Sequence, residues 1–308
     1  MIPFPFGLGT RWPGPTVDLA AVGDVMLGRW VGREIDTHGR DYPLSKAKQE
    51  LGKSDIAIGN LECALSKLAF SGRKRFHLQA KPAIGQALQS GGFAALSLAN
   101  NHALDCGPDG LAETTSALRM SGVATIGITE NPTVMIRKGL RIAFLAYCDF
   151  PNDSGGPGVS YTNETRLQND ITVARRQADV VVVYWHWGDE LSRKVSNRQR
   201  LLAKRAANAG VDLVLGAHPH VLQPIEWIQG NGGKMCLVAY SLGNFVFDAP
   251  DAATSHSEIL HVTLSKRGVT GFRVSPYVIV RCRPEPTSSP KLSRAPSAHV
   301  LPRVIAPR

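Results

Sequence analysis

Short runs dominated by Val, Ile, Leu and Ala recur along most of this chain: TVDLAAVG, SDIAIGN, GFAALSLAN, GVATIGI, LRIAFLAY, ADVVVVYWHWG, VDLVLGAH, MCLVAYSLGNF and EILHVTLS. Runs this short, apolar across both faces and rich in β-branched residues, predict strands buried on both sides. Between several of them, KPAIGQALQSGG, GLAETTSALRMSG, ETRLQNDITVARRQ and NRQRLLAKRAANAG carry apolar residues at three-to-four spacing and close on Gly or polar residues. Those segments read as amphipathic helices. The alternation predicts a mixed α/β domain, and no repeat of fixed period competes with that reading.

At 308 residues the chain can bury a sizeable core, which excludes a short disulfide-stapled scaffold. The body is expected over residues 17–283, between an N-terminal tail (1–16) and a basic, proline-rich C-terminal tail (284–308) that composition marks as disordered. Five widely spaced cysteines without a CxxC pair indicate buried thiols, not a zinc ribbon or a disulfide framework. The N-terminal MIPFPFGLGTRWPGP lacks the basic start and apolar run of a signal peptide, and no stretch approaches a membrane span. The expectation is a cytoplasmic protein, associated with a membrane only through partners. Net charge is +10, but Lys291, Arg294, Arg303 and Arg308 in the tail supply part of it. That excess permits an anionic partner without selecting nucleic acid, for which no binding module is visible.

The chemistry gathers where the strands end. Asp24, Glu62, Asn101, His102, His186, His218 and His220 each stand at or just beyond an apolar run, and α/β sheets bind ligands beyond the carboxyl ends of their strands. If these ends converge, they form a nitrogen and oxygen site without thiolate, suited to Mn, Fe or Zn. GAHPH is the sharpest local signal, because two imidazoles separated by a stiffening proline can reach two faces of one centre. Each residue has an ordinary alternative: loop histidines for the HxH, a core histidine for His186 between Trp185 and Trp187, turn-forming asparagines at 100 and 101, and capping carboxylates at 24 and 62. Residues 149–163, rich in Gly, Pro, Asn and Ser, read as a loop on the site side.

Taken in order, GDVMLGR, GNLECALS, FHLQAKP, SLANNHALDCGPDGL, YWHWGDE, GAHPHVLQPIE and YSLGNFVFD resemble the signature series of the CapA family, the poly-gamma-glutamate capsule biosynthesis proteins of the calcineurin-like metallophosphoesterase superfamily. The resemblance covers about residues 17–250 and implies a four-layer αββα sandwich, two mixed β-sheets face to face with helices outside. It implies Asp24 and His220 on a first metal, Glu62 bridging where the superfamily has Asp, His186 and His218 on a second, and Asn101 as the asparagine ligand. His102 is implied as the acid at the leaving oxygen. One position departs from the pattern. The superfamily's first motif is Asp, any residue, His, whereas this chain reads Asp24, Val25, Met26, so one imidazole is lost and one or two divalent ions are expected.

The function implied is metal-assisted hydrolysis of a phosphoester or related bond, on an anionic polymer or phosphoester substrate linked to capsule or cell-envelope polymer metabolism. Arg75, with Arg73 and Lys74, is a candidate for holding anionic groups, against a solvated basic turn; Ser241 and Asn244 are candidates for supporting the site ligands. The alternative is a non-catalytic polymer-binding accessory of a capsule-synthesis complex. A nucleic-acid phosphoesterase is the weakest reading.

Overall fold

Alternation along each central strand sorts its side chains onto two faces, and every face finds a partner layer. The computed structural model describes residues 14–72, 74–129, 131–150, 158–249 and 251–287. The first half contains β1 (Val17–Val25), α1 (Arg29–His38), α2 (Lys48–Leu51), β2 (Ile56–Leu61), β3 (Ala64–Leu65), β4 (Gln79–Ala80), α3 (Gly85–Ser90), β5 (Ala95–Ser97), α4 (Gly107–Met120), β6 (Ala124–Ile126), β7 (Thr133–Arg137) and β8 (Leu140–Cys148). There follow α5 (Glu164–Gln177), β9 (Val180–His186), α6 (Asn197–Asn208), β10 (Leu213–Ala217), β11 (Ile225–Gln229), β12 (Met235–Ala239), β13 (Asn244–Val246), α7 (Ala252–Ser255), β14 (His256–Ser265), β15 (Gly268–Val280) and β16 (Arg283–Pro286).

One sheet runs β16-β15-β14-β1-β2-β5-β6 with β13 also on β1; the other runs β11-β12-β10-β9-β8-β7. Both are mixed: β1, β2, β5 and β6 are parallel neighbours, as are β8, β9, β10 and β12, with antiparallel strands outside them. Leu19 and Ala21 of β1 and Ile56 and Ile58 of β2 face Ile142, Phe144, Val182, Leu213 and Leu215 of the second sheet, forming the layer between the sheets. Ala20 and Val22 point the other way, toward a core shared with Val31, Leu88 and Leu118 of the helices. On the far face of the second sheet, Leu145, Val181 and Val183 pack against Leu167 and Ile171 of α5 and Leu202 and Ala206 of α6. The architecture is the four-layer αββα sandwich. Each predicted helix forms; α6 is started by a reciprocal cap in which Ser196 and Gln199 satisfy each other's backbone N–H groups.

The last described strand, β16, continues the first sheet to Pro286, three residues past the expected body boundary. Residues 1–13 and 288–308, which include most of both expected tails, lie outside the described residues. Cys63, Cys106, Cys148 and Cys236 are buried free thiols and Cys282 is half-buried. Among the described residues no helix is long and apolar enough to cross a membrane.

Candidate metal centre

The parallel strands of both sheets end at the same edge of the sandwich, and their polar terminal residues meet there. Asp24 is the penultimate residue of β1, where it pairs with Asn60 of β2 on one side and Asn244 of β13 on the other. That approach needs glycine beside it: a Cβ on Gly23 would lie 1.8 Å from the Gly243 carbonyl oxygen. Glu62 follows β2, His186 ends β9, and His218 and His220 stand on the loop after β10. Both loop histidines adopt left-handed backbone conformations, φ 97° and 58°, which non-glycine residues seldom do and which concentrate at functional sites.

Asp24 is fully buried; its Oδ1 accepts from the Asn60 amide at 2.9 Å and its Oδ2 accepts from the His218 backbone N–H at 3.1 Å. His220 Nδ1 lies 3.3 Å from Asp24 Oδ2 and 2.9 Å from Asn244 Oδ1, and its Nε2 lies 3.9 Å from Glu62 Oε1. On the other side, His186 Nε2 is 2.9 Å from Asn101 Oδ1, 3.1 Å from His218 Nδ1 and 3.6 Å from Glu62 Oε1. Asp24, Glu62 and His220 form one set whose ligand atoms lie within 4.8 Å of one another, and Glu62, His186 and His218 form another. Glu62 belongs to both.

His102 stands at the rim with its side chain 14% exposed. Its Nδ1 lies 2.7 Å from Asp105 Oδ2, while its Nε2 faces Glu62 Oε1 at 4.0 Å. Asp105 is buried and also accepts from Lys74 Nζ at 2.9 Å and from the Leu78 N–H at 2.6 Å. Burial would raise that carboxyl, but the bonds from His102, Lys74 and Leu78 outweigh it and hold Asp105 below the usual carboxylate range.

Charge in the cluster is set by burial. Burial, reinforced by Asp24, pushes Glu62 well above the usual carboxylate range. Burial likewise pushes His186 well below the ordinary imidazole value and His218 down to about 3, so both rings are neutral. His220 goes the other way: burial opposes its proton, but Glu62 and Asp24 prevail and lift it to about 10. The donor set fits a divalent cation. Among the described residues Glu62 Oε2 is buried with no hydrogen-bond partner, and imidazole nitrogens meet the Asn101 amide oxygen in one small volume. Thiolate is absent from it, because burial raises the neighbouring Cys63 thiol to about 12. Oxygen and imidazole donors of this kind suit Mn, Fe or Zn.

All seven strand-end residues nominated from the sequence lie in this cluster or on its rim. Asn244 touches His220, whereas Ser241 Oγ accepts from the Gly243 N–H and shapes the turn that carries Asn244. Arg75 is exposed, its guanidinium 5.0 Å from the Phe76 ring, and Arg73 lies outside the described residues. Lys74 turns inward to Asp105 and to the Asn101 carbonyl. Sequence reasoning missed Asn60, whose amide nitrogen lies 3.2 Å from His186 Nδ1 as well as holding Asp24. It also missed Asn100, which donates to Asn60 Oδ1 and the Leu61 carbonyl and accepts from the His102 N–H. Phe150 went unnoticed too, its ring centroid 4.1 Å from that of His218; residues 151–157 of the site-side loop lie outside the described residues. The doubled Asn in ANNHALD carried a signal for Asn100, but Asn60 inside an apolar run carried none.

Residues 18–249 match the family described as Bacterial capsule synthesis protein PGA_cap. The chain is 32% identical over 287 residues to the PGA biosynthesis protein CapA of Bacillus subtilis (strain 168), a match spanning 89% of this chain and 74% of that protein. It is 33% identical over 290 residues to the capsule biosynthesis protein CapA of Bacillus anthracis, spanning 88% and 69%. Among solved structures, a novel phosphatase from Mycoplasma pneumoniae superposes with a TM-score of 0.57 over 91% of this chain and 96% of that one, at 14% identity, which bears on the fold alone.

Proposed function

The chain belongs to the bacterial capsule synthesis protein PGA_cap family, and from that premise we propose that it is a metal-dependent hydrolase of a phosphoester or related bond in capsule polymer metabolism. The observation that carries the proposal is the pairing of two features at one edge: a buried carboxylate shared by two imidazole sets, and a His102–Asp105 pair aimed at it. A divalent ion held by Asp24, Glu62, Asn101, His186, His218 and His220 would supply Lewis acidity for the scissile bond and for water activation.

The protein's own groups do the rest. Asp105 fixes His102 with Nδ1 turned inward, leaving Nε2 directed at the centre, where it can hand a proton to a leaving oxygen. His102, Lys74 and the Leu78 N–H together hold Asp105 below the usual carboxylate range, and Asp105 in turn holds the imidazole in orientation. Asn244 orients His220 through Nδ1, and Asn60 spans Asp24 and His186, so the donor set is positioned before any ligand arrives. Phe150 packs its ring against His218 at the edge of the centre. The relatives' names place them in PGA and capsule biosynthesis, and an anionic polymer of that kind, or its phosphorylated precursor, is the substrate class we assign.

The test is metal content and turnover measured together. Wild type and His218→Ala/His220→Ala, loaded with Mn, Fe or Zn, are analysed for metal per chain and assayed on bis-p-nitrophenyl phosphate and on γ-glutamyl polymer. Bound metal with hydrolysis in wild type only is expected. Full metal content in the double variant refutes the ligand assignment. Metal without turnover on either substrate turns the reading to a non-catalytic polymer-binding accessory of a synthesis complex.

A further inference from the structure

The two donor sets that meet at Glu62 are unequal. Around His186 and His218, Glu62 and the Asn101 oxygen complete four protein donors. Around His220, Asp24 and Glu62 make only three. The residue two places after Asp24 is Met26, which is fully buried among apolar side chains and whose sulfur accepts from the Gly28 N–H at 3.1 Å, so it faces away from the centre.

Glu190 stands beside the histidine loop that carries His220. Its carboxylate, with His218 and His220, forms a third set of ligand atoms within 4.8 Å of one another. It is the one exposed member of these sets, in the turn just after β9. That turn is tied to the histidine loop, because the Leu191 N–H donates to the Pro219 carbonyl at 2.9 Å. Leu191 itself takes a left-handed conformation, φ 60°, opposite His218 and His220, so three costly backbone conformations meet in two joined turns beside the centre. Among the described residues no hydrogen bond or ion pair occupies the Glu190 carboxylate. An unengaged anion facing two imidazoles is a ligand in waiting, and a hard divalent ion gains from a third carboxylate where a neutral imidazole is absent.

We propose that Glu190 supplies the donor that Met26 does not, so that one ion rests on Asp24, Glu62, His220 and Glu190 beside a second on Glu62, Asn101, His186 and His218. This deepens the metal-centre reading above and rests on it. The lost imidazole then leaves a two-ion centre in place, with one wall built from an exposed turn.

The probe is Mn2+ added to chelator-treated protein, read as manganese per chain after desalting and as the low-temperature electron paramagnetic resonance spectrum. Wild type is expected to hold two ions and to show the exchange-coupled spectrum of a pair. Glu190→Gln is expected to hold one, with an uncoupled spectrum and the second ion's affinity weakened at least about 10-fold. Its metal-free melting temperature should match that of wild type, since the side chain is exposed. Two coupled ions in Glu190→Gln, or a single uncoupled ion in both proteins, overturns the role of Glu190 and leaves the metal-centre reading standing. Absence of manganese from wild type overturns both.

Discussion

Replacing Glu62 by Gln separates a residue kept for a ligand from one kept for the fold. Glu62 is 1% exposed, its Oε2 has no hydrogen-bond partner among the described residues, and its Oε1 lies 3.6 to 4.0 Å from three imidazole nitrogens, with Asp24 in the same set. Burial, with Asp24 beside it, disfavours the ionised carboxyl in the metal-free protein, so a neutral isostere suits the same buried surroundings. Metal-free Glu62→Gln should therefore unfold within about 1 kcal/mol of wild type, because an unmet buried polar atom costs about 1–3 kcal/mol and the amide leaves that count unchanged. With Mn2+ at about 100 times its dissociation constant, linkage stabilises wild type by about 2.7 kcal/mol. At about 2–4 °C per kcal/mol for a body of this size, its melting temperature rises by about 5–11 °C. Glu62→Gln should rise by less than about 2 °C, since the ligand shared by both donor sets is gone. Differential scanning calorimetry of both proteins with and without Mn2+ measures all four states. A metal-free Glu62→Gln destabilised by more than about 3 kcal/mol, or one that keeps the full metal-dependent rise, refutes the reasoning.

Substituting His102 by Gln should leave metal content unchanged while hydrolysis falls by about 10²–10⁴-fold; an unchanged rate assigns His102 to structure. Gly23→Ala should cost about 3 kcal/mol or more, because its Cβ would meet the Gly243 carbonyl at 1.8 Å, and an unchanged urea midpoint contradicts that close approach. Burial, with Arg273 adding to it, holds His261 at about 4, against about 6.5 in an unfolded chain. The folded state therefore favours the neutral ring, whose contribution is complete above about pH 6.5 and is lost as pH falls toward 4. Its slope reaches about 1.4 kcal/mol per pH unit. His261→Gln should flatten the pH dependence of urea unfolding over that window, and an unaltered slope removes His261 from the account.

Several elements escaped a reading of periodicity for reasons visible in their packing. Helix α1 buries only Val31 and runs through Gly32, Arg33 and Glu34, so its apolar stripe is too thin to register. Strand β15 carries Gly271 and Pro276 and is mostly exposed or half-exposed on its outer part, which blurs the alternation of a long hairpin arm.

The order of buried strands and helices and the residue types waiting at the strand ends were legible from the chain alone, because burial on two faces and amphipathic spacing are local properties of sequence. Which of those residues meet was decided by topology. Asp24 and the His218 N–H are 194 positions apart and touch only because β1 and β10 lie in facing sheets whose strands end at one edge. The same convergence recruited Asn60, Asn100, Asp105 and Glu190, polar residues with no periodic signature of their own. It also explains why one of two adjacent asparagines, Asn100, became a brace while the other, Asn101, faces the centre. Local pattern specifies elements and faces; the meeting of side chains across two sheets is a long-range property, set when the layers pack.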